Sequence, residues 1–315
     1  MRPPTPSSEP AARTIRTGRW LGLDLGGTHV KAAVLHVGDG GHAETIFTSR
    51  RDTAAERGPE HVVADLVATG RELDAAHGPL DGVGVGVPGL FDADLGTIEF
   101  VPNLPGAWRG VPLVSRLAAG LDRPVSIIND ARAFTLAEAT MGAAEHCRTV
   151  AAYVLGTGVG GGLMIDGRLL FGPHGRAGEL GHCVVDPDGP GCGCGGRGCL
   201  EAFAAAPRIA ASAGRPTAEE AFAAAAAGDR RAAETIALVC DRFARAIVDI
   251  VNVVRPDRVV VGGGVAAAGD ALFVPLRAEV AKRLTLADPA DFDIVPARLG
   301  PWAGVIGAAL WAACH

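Results

Sequence analysis

Apolar and polar positions along the chain fall into two copies of one figure. RWLGLDLGGTHVKAAVLHV (19–37) alternates apolar residues on both sides of a Gly26-Gly27 break, which predicts strand, glycine turn and strand. RTVAAYVLGTGVGGGLMIDGRLL (148–170) repeats that figure in the second half. Between them, PEHVVADLVATGRELDAAHG (59–78) spaces its apolar residues for a helix and ends on a glycine stop. DGVGVGVPGL (81–90) predicts a glycine-diluted buried strand, PVSIIND (124–130) a strand with polar residues at its exit, and ARAFTLAEATMG (131–142) a helix. Downstream, Thr217 and Glu220 form a capping box and 229–254 is strongly helix-periodic. RVVVGGGVA (258–266) is a buried strand entering a glycine loop, and AGVIGAALWAAC (303–314) a closing helix. Strands alternating with helices give an α/β fold, and the duplicated figure adds two lobes with a ligand cleft between them.

Bulk properties narrow the function classes. With 315 residues the chain is long enough for two domains of ordinary size. A net charge of −6 gives no electrostatic reason to expect nucleic acid or an anionic membrane as partner. No apolar run reaches the about 18–20 residues of a spanning helix. The opening MRPPTPSSEPAARTIRTGR has four prolines and no apolar core, so residues 1–19 read as a disordered tail rather than an export signal. A reducing, cytoplasmic setting follows for the seven cysteines.

The two glycine turns are the first candidates for chemistry. A Gly-Gly-Thr hairpin exposes backbone N–H groups that suit phosphate oxygens, and Asp24 before it can hold Mg²⁺ directly or through water. Gly26, Gly27 and Thr28 are answered in the second half by Gly156, Thr157 and Gly158. Either turn alone reads more readily as a plain Gly-rich hairpin; the matched pair with Asp24 reverses that and favours a nucleotide. Gly262, Gly263 and Gly264 offer an adenine platform or close strand–helix packing. Asn129-Asp130 surfaces at a strand end, where a carboxylate can accept the proton of an attacking hydroxyl, or where either residue can cap the following helix.

GELGHCVVDPDGPGCGCGGRGCLE (178–201) carries the sharpest signal. The spacing His182-x9-Cys192-x-Cys194-x4-Cys199 supplies one imidazole and three thiolates, a tetrahedral set for structural Zn²⁺. Such a closed site would fix a loop whose ends carry Glu179 and Glu201, carboxylates suited to reading the hydroxyls of a polyol. Glu179 and His182 would share a face if that segment were helical. Cys183 is awkwardly placed to join the same ion, while Cys147, Cys240 and Cys314 read as buried small apolar residues.

DLGGTH (24–29), VPG (87–89), PNLPGAW (102–108), ND (129–130), LGTGVGGG (155–162), GRAGELGH (175–182) and CGCGGRGCLE (192–201) together resemble the ROK family of repressors and sugar kinases. The resemblance implies the duplicated, ribonuclease H-like actin-like ATPase fold with an interdomain cleft. Residues 20–128 would then be a small lobe on which 302–315 pack back, and 129–301 a large lobe with a zinc loop at 182–199. It implies ATP- and Mg²⁺-dependent phosphorylation of a hexose 6-hydroxyl, with glucose first. Fructose, mannose, N-acetylated amino sugars, 3-amino-3-deoxyglucose or sugar-like biosynthetic intermediates are alternatives, as is polyphosphate as donor.

Carried over by motif, Asp130 is the catalytic base. Gly89, Asn103, Asn129, Glu179, His182 and Glu201 line the sugar. Asp24, Gly26, Gly27, Thr28, Gly156, Thr157, Gly158 and Gly262 to Gly264 serve the nucleotide, and His182, Cys192, Cys194 and Cys199 the zinc. A homodimer or homotetramer is implied as well. Two positions depart from the common pattern: His29 stands where many members have Lys, and Arg132 where many have Asn. A repressor would need a DNA-binding segment that the nineteen proline-rich residues before Trp20 do not provide. A catalytically silent sugar sensor is the remaining alternative of another class.

Overall fold

A computed structural model describes residues 15–102 and 104–315 of the chain. The first half runs β1 (Gly18–Leu25), β2 (His29–Val37), β3 (Ala43–Asp52), α1 (Pro59–His77), β4 (Gly82–Val87), β5 (Leu90–Asp92), β6 (Thr97–Phe100), α2 (Leu113–Leu121) and β7 (Val125–Asn129). Then come α3 (Asp130–Thr140), β8 (Val150–Leu155), β9 (Val159–Ile165), β10 (Arg168–Leu169), α4 (Glu201–Ala204), α5 (Ala206–Ala213), α6 (Ala218–Ala226) and α7 (Arg230–Val254). The chain closes through β11 (Arg258–Gly262), α8 (Asp270–Arg283), β12 (Asp293–Pro296) and α9 (Ala303–Ala313).

Two five-stranded sheets share one topology. The first is ordered β3-β2-β1-β4-β7 and the second β10-β9-β8-β11-β12. In each, three antiparallel strands are continued by two parallel ones. The duplication visible in the two glycine figures therefore extends to whole sheets. Both faces of each sheet are covered, so its central strands read as nearly unbroken apolar runs. Leu21, Leu23 and Leu25 of β1 enter the core beneath α1 and α2, while Trp20 faces the opposite way. Likewise Ala151, Tyr153 and Leu155 of β8 meet α7 and α8, and Val150 and Ala152 turn to the other side.

The layer between the sheets is made by α3 and α9, and the two are exchanged. α3 leaves the first sheet but packs on β8 and β9 of the second, whereas α9 follows the second sheet and packs on β1 and β4 of the first. They also cross each other. A Cβ on Gly84 of β4 would overlap the carbonyl oxygen of Ala308 on α9, and one on Gly307 of α9 would overlap that of Ala133 on α3. The glycines that dilute the strand at 81–90 are thus sites of helix contact. At the far end of α3, fully buried Glu138 accepts N–H bonds from Ala143 (2.7 Å), Arg298 (3.0 Å) and Leu299 (2.8 Å). Those three donors replace the water its carboxylate has lost and tie α3 to the lead-in of α9.

The structure changes the expectations at the edges. β1 begins at Gly18 rather than Trp20, because its pairing with β2 runs on to Gly18 opposite Val37; Arg19 N–H also bonds Asp81 Oδ2 (2.8 Å) and Arg16 N–H the Ala313 carbonyl (2.9 Å). Residues 1–14 of the expected tail lie outside the described residues. Cys240 is buried as expected, but Cys147, in the loop before β8, and Cys314, at the C-cap of α9, are half-buried. No helix among the described residues is long and apolar enough to cross a membrane.

Because α9 has no room to retreat, Gly84→Ala is expected to cost about 2 kcal/mol or more in urea unfolding. Gly38→Ala, at an ordinary φ of −87° with no close neighbour, is the control and should shift stability by less than about 0.5 kcal/mol. Equal effects would remove the helix–sheet contact as the explanation.

Candidate active site

Parallel pairing brings the polar motif residues of the first half together. Asp24 pairs with Gly86 and Val87 with Asn129, so β1, β4 and β7 end side by side. Carboxyl ends of parallel strands in an α/β sheet open onto the ligand crevice. Asn129 is the N-cap of α3: its Oδ1 accepts from Ala131 N–H (3.1 Å) and Arg132 N–H (3.3 Å), while its Nδ2 donates to the Gly89 carbonyl (3.4 Å). Capping thus falls to Asn129, and Asp130 becomes the first helical residue, with only the Ala131 N–H on its Oδ1 (2.8 Å) among the described residues.

Burial, reinforced by the negative charge of Asp24, pushes the Asp130 carboxyl up to about 7; Ala131 N–H opposes, Glu179 adds to the rise, and Arg132 counters it. Burial also raises Asp24, against the pull of Lys31, whose Nζ lies 3.4 Å from Asp24 Oδ2. Sequence reasoning passed over Lys31. Its signal is register: on β2 it sits directly across from Asp24 and on the same strand face as His29, two residues earlier. His29 itself turns to Asp52 at the end of β3 (3.5 Å). The cation that serves this carboxylate is therefore at 31, not 29.

Both glycine turns are braced from behind. The Gly26 carbonyl accepts the Thr53 hydroxyl (2.6 Å) and the Thr28 carbonyl accepts Thr53 N–H (2.9 Å). In the second turn Gly156 N–H bonds the Gly158 carbonyl (2.9 Å), and the Gly156 carbonyl accepts Ala206 N–H (2.8 Å). Among the described residues the N–H groups of Gly27, Thr28, Thr157 and Gly158 have no acceptor. Thr28 and Thr157 are exposed. These are the free donors that a phosphate group needs. Gly262 and Gly263 have a packing role, their Cβ positions filled by Phe134 and by the Leu155 backbone; Gly264 faces open space.

His182, Cys192, Cys194 and Cys199 place one donor atom each within 4.8 Å of one another. Cys194 Sγ and Cys199 Sγ are 3.8 Å apart, and Cys192 Sγ lies 3.6 Å from His182 Nδ1. A tetrahedral Zn²⁺ with bonds of about 2.3 Å to sulfur and 2.0–2.1 Å to nitrogen requires edges of about 3.8 and 3.6 Å, so the donor set fits that ion. Cys183 is outside the cluster. His182 ends a short 3-10 turn, and Glu179 precedes it with ψ 61°, so the two do not share a helical face.

Glu179 and Glu201 are held differently. Glu201 opens α4 and bridges two motifs: its Oε2 accepts Val159 N–H beside the second glycine turn (3.0 Å), and its Oε1 lies 3.5 Å from Cys192 Sγ. Glu179 is 45% exposed and takes a contact of 2.9 Å from Arg132, which is 3% exposed on α3. Arg132 therefore points inward, a direction its sequence position left open. Gly160 of β9 lies directly on the Ala131 methyl, which sets the second turn beside Asp130. Asn103, expected among the sugar contacts, lies outside the described residues.

Comparison with known proteins agrees with this geometry. The ROK family model matches residues 20–314. A glucokinase of Thermotoga maritima is 37% identical over 309 residues, covering 92% of this chain and 95% of its own length. The chain is also similar to the crystal structure of a ROK hexokinase from Thermus thermophilus, with TM-score 0.81, 33% identity and coverage of 93% and 97%. A ROK family glucokinase from Streptomyces griseus, in complex with glucose and AMPPNP, gives TM-score 0.77 at 29% identity, covering 94% and 99%. The family match spans both sheets, and the likeness is one of descent: the chain belongs to the ROK family.

Proposed function

We propose that this protein is an ATP-dependent hexose kinase that phosphorylates the 6-hydroxyl of glucose. The observation that carries the reading is Asp130, a carboxylate poised at about 7 on the strand-end crevice between two glycine turns with free N–H groups. The acceptor hydroxyl is set against Asp130, which takes its proton as the oxygen attacks the γ-phosphorus and ADP leaves. The N–H groups of Gly27, Thr28, Thr157 and Gly158 cradle the phosphates, and Lys31 adds positive charge. Asp24 would hold Mg²⁺, which when bound offsets the charge that builds on the phosphate oxygens. Asn129, Glu179, His182 and Glu201 orient the sugar, with Gly89 fixed beside them by its bond to Asn129. His182, Cys192, Cys194 and Cys199 would hold Zn²⁺, and with four protein donors the ion would serve to order the loop that carries these groups. The turnover assay is ADP release from ATP and Mg²⁺ over a panel of glucose, mannose, fructose and amino sugars. Absence of saturable turnover with every sugar would refute the kinase reading.

The titration of Asp130 makes two linked predictions. As a base it acts only when ionised, so kcat/KM should climb with pH through about 7. Asp130→Asn should lower kcat by about 10²–10⁴-fold. Its folded value lies above the ordinary one, so the folded state holds that proton more tightly than the unfolded chain. This contribution to stability is present in full below about pH 4 and lost as pH rises through about 7. Asp130→Asn should therefore raise Tm at pH 8 while leaving it little changed near pH 4. Wild-type kcat in this variant, or a lower Tm at pH 8, would count against the assignment.

Loss of the metal should be felt at both substrates. Cys194→Ser, or chelation of the wild type, is expected to remove zinc by atomic emission. KM should then rise about tenfold or more for the sugar and measurably for ATP, since Glu201 touches both the zinc loop and the second glycine turn. Zinc loss with both KM values intact would separate the loop from the site.

A further inference from the structure

Arg132 occupies an unusual place for its chemistry. A guanidinium that is 3% exposed, in the first turn of α3, must have its donors matched inside the protein. Its Nε donates to the Ala177 carbonyl at 3.0 Å, and its Nη2 is shared between that same carbonyl and Glu179 Oε1, the latter at 2.9 Å. Both partners lie on the segment that leads into the His182 turn. The pair is lopsided, with the cation enclosed and the anion 45% exposed. A staple for this segment would need only the Ala177 carbonyl. The reach to Glu179 adds two further effects. It commits one oxygen of a 45% exposed carboxylate and so leaves the other to accept from a ligand. It also sets a positive charge against a negative one, so this corner presents little net charge to a ligand.

The structure assigns Arg132 as a positioning residue that sets acceptor selectivity: it fixes Glu179 to read one neutral hydroxyl, and by cancelling the Glu179 charge it denies a cationic amino sugar the attraction it would otherwise find there. This rests on the reading above in which Glu179 contacts the sugar. Other charged groups near the pair are Asp130 and, behind it, Asp24 with Lys31, while Arg176 on the same segment is engaged by Glu99 (2.6 Å). Asp130 and Asp24 favour a cation as well, and Arg132 opposes it directly at Glu179.

The test compares kcat and KM for glucose and for protonated 2-amino- and 3-amino-deoxyglucose in Arg132→Met, Arg132→Lys, Glu179→Gln and the Arg132→Met/Glu179→Gln double variant. Arg132→Met should raise KM for glucose about tenfold with kcat within about threefold. It should also raise the ratio of kcat/KM for an amino sugar over glucose by about fivefold or more, as Glu179 is left uncancelled. Arg132→Lys keeps the charge but cannot fork between two acceptors, so KM should rise only about threefold with the ratio unchanged. The double variant should be no worse than Glu179→Gln alone, because Arg132 acts through that carboxylate.

Unchanged KM in Arg132→Met, additive losses in the double variant, or a fall in kcat without a change in KM would overturn the assignment. If Arg132→Met does not fold, Arg132→Lys decides alone, and a shift in its amino-sugar ratio or an unaltered KM overturns it. A normal KM in Glu179→Gln would refute the sugar contact itself and the assignment with it. A raised KM there beside a wild-type Arg132→Met refutes the assignment only.

Discussion

The near-contact of backbones at Gly84, Ala308, Gly307 and Ala133 is the constraint on which the rest of this molecule hangs. Two helices can lie this close to a sheet and to each other only where no side chain intervenes. Here that closeness permits an exchange, with the helix leaving each sheet packing on the other one. The crossing lies between the two sheets, and the residues that matter for chemistry are built outward from it. α3 is the clearest case. Asn129 and Asp130 sit at one end, Ala131 supports the second glycine turn, Arg132 reaches Ala177 and Glu179, and Glu138 anchors the far end to the lead-in of α9.

Such rigidity allows an electrostatic arrangement that a looser framework would relax. Asp24 and Asp130 are driven upward by burial, and Asp130 further by the charge of Asp24. Lys31 and Arg132 offset this in part, each attached to a different carboxylate, so the two acids are not equivalent. Asp24 has its cation at 3.4 Å, which opposes the rise that burial imposes on it. Among the described residues Asp130 has no direct cation and is left near the point where it can both take and release a proton. Two aspartates of identical intrinsic acidity are thereby placed in different surroundings, as the proposed division between metal holding and proton transfer requires.

Much of this was legible in the chain because it is local. Strand alternation and glycine breaks located the paired hairpins, and the spacing from His182 to Cys199 named a donor set whose separations fit a tetrahedral ion. What was not legible is register and direction. Lys31 matters because antiparallel pairing puts it opposite Asp24, a relation that no single strand states. Arg132 lies on a helix whose every face is covered, so periodicity could not say which way its side chain runs. At Gly262 and Gly263 the sequence leaves a ligand platform and close packing as alternatives, and the Phe134 ring and Leu155 backbone against them are contacts that only the fold reveals. Cys147 and Cys314 were read as core from an apolar setting but lie at element ends, where burial is incomplete.

Glu201 has a consequence beyond its own contacts. One carboxylate accepts from the turn assigned to the nucleotide and touches a thiol of the loop assigned to the sugar. Anything that settles the loop settles the turn, and the reverse must hold to the same degree, because coupling between two binding equilibria is reciprocal. On the proposed reading, a sugar that settles the loop and a nucleotide that settles the turn act on one shared side chain, so that each would leave the other less disorder to overcome.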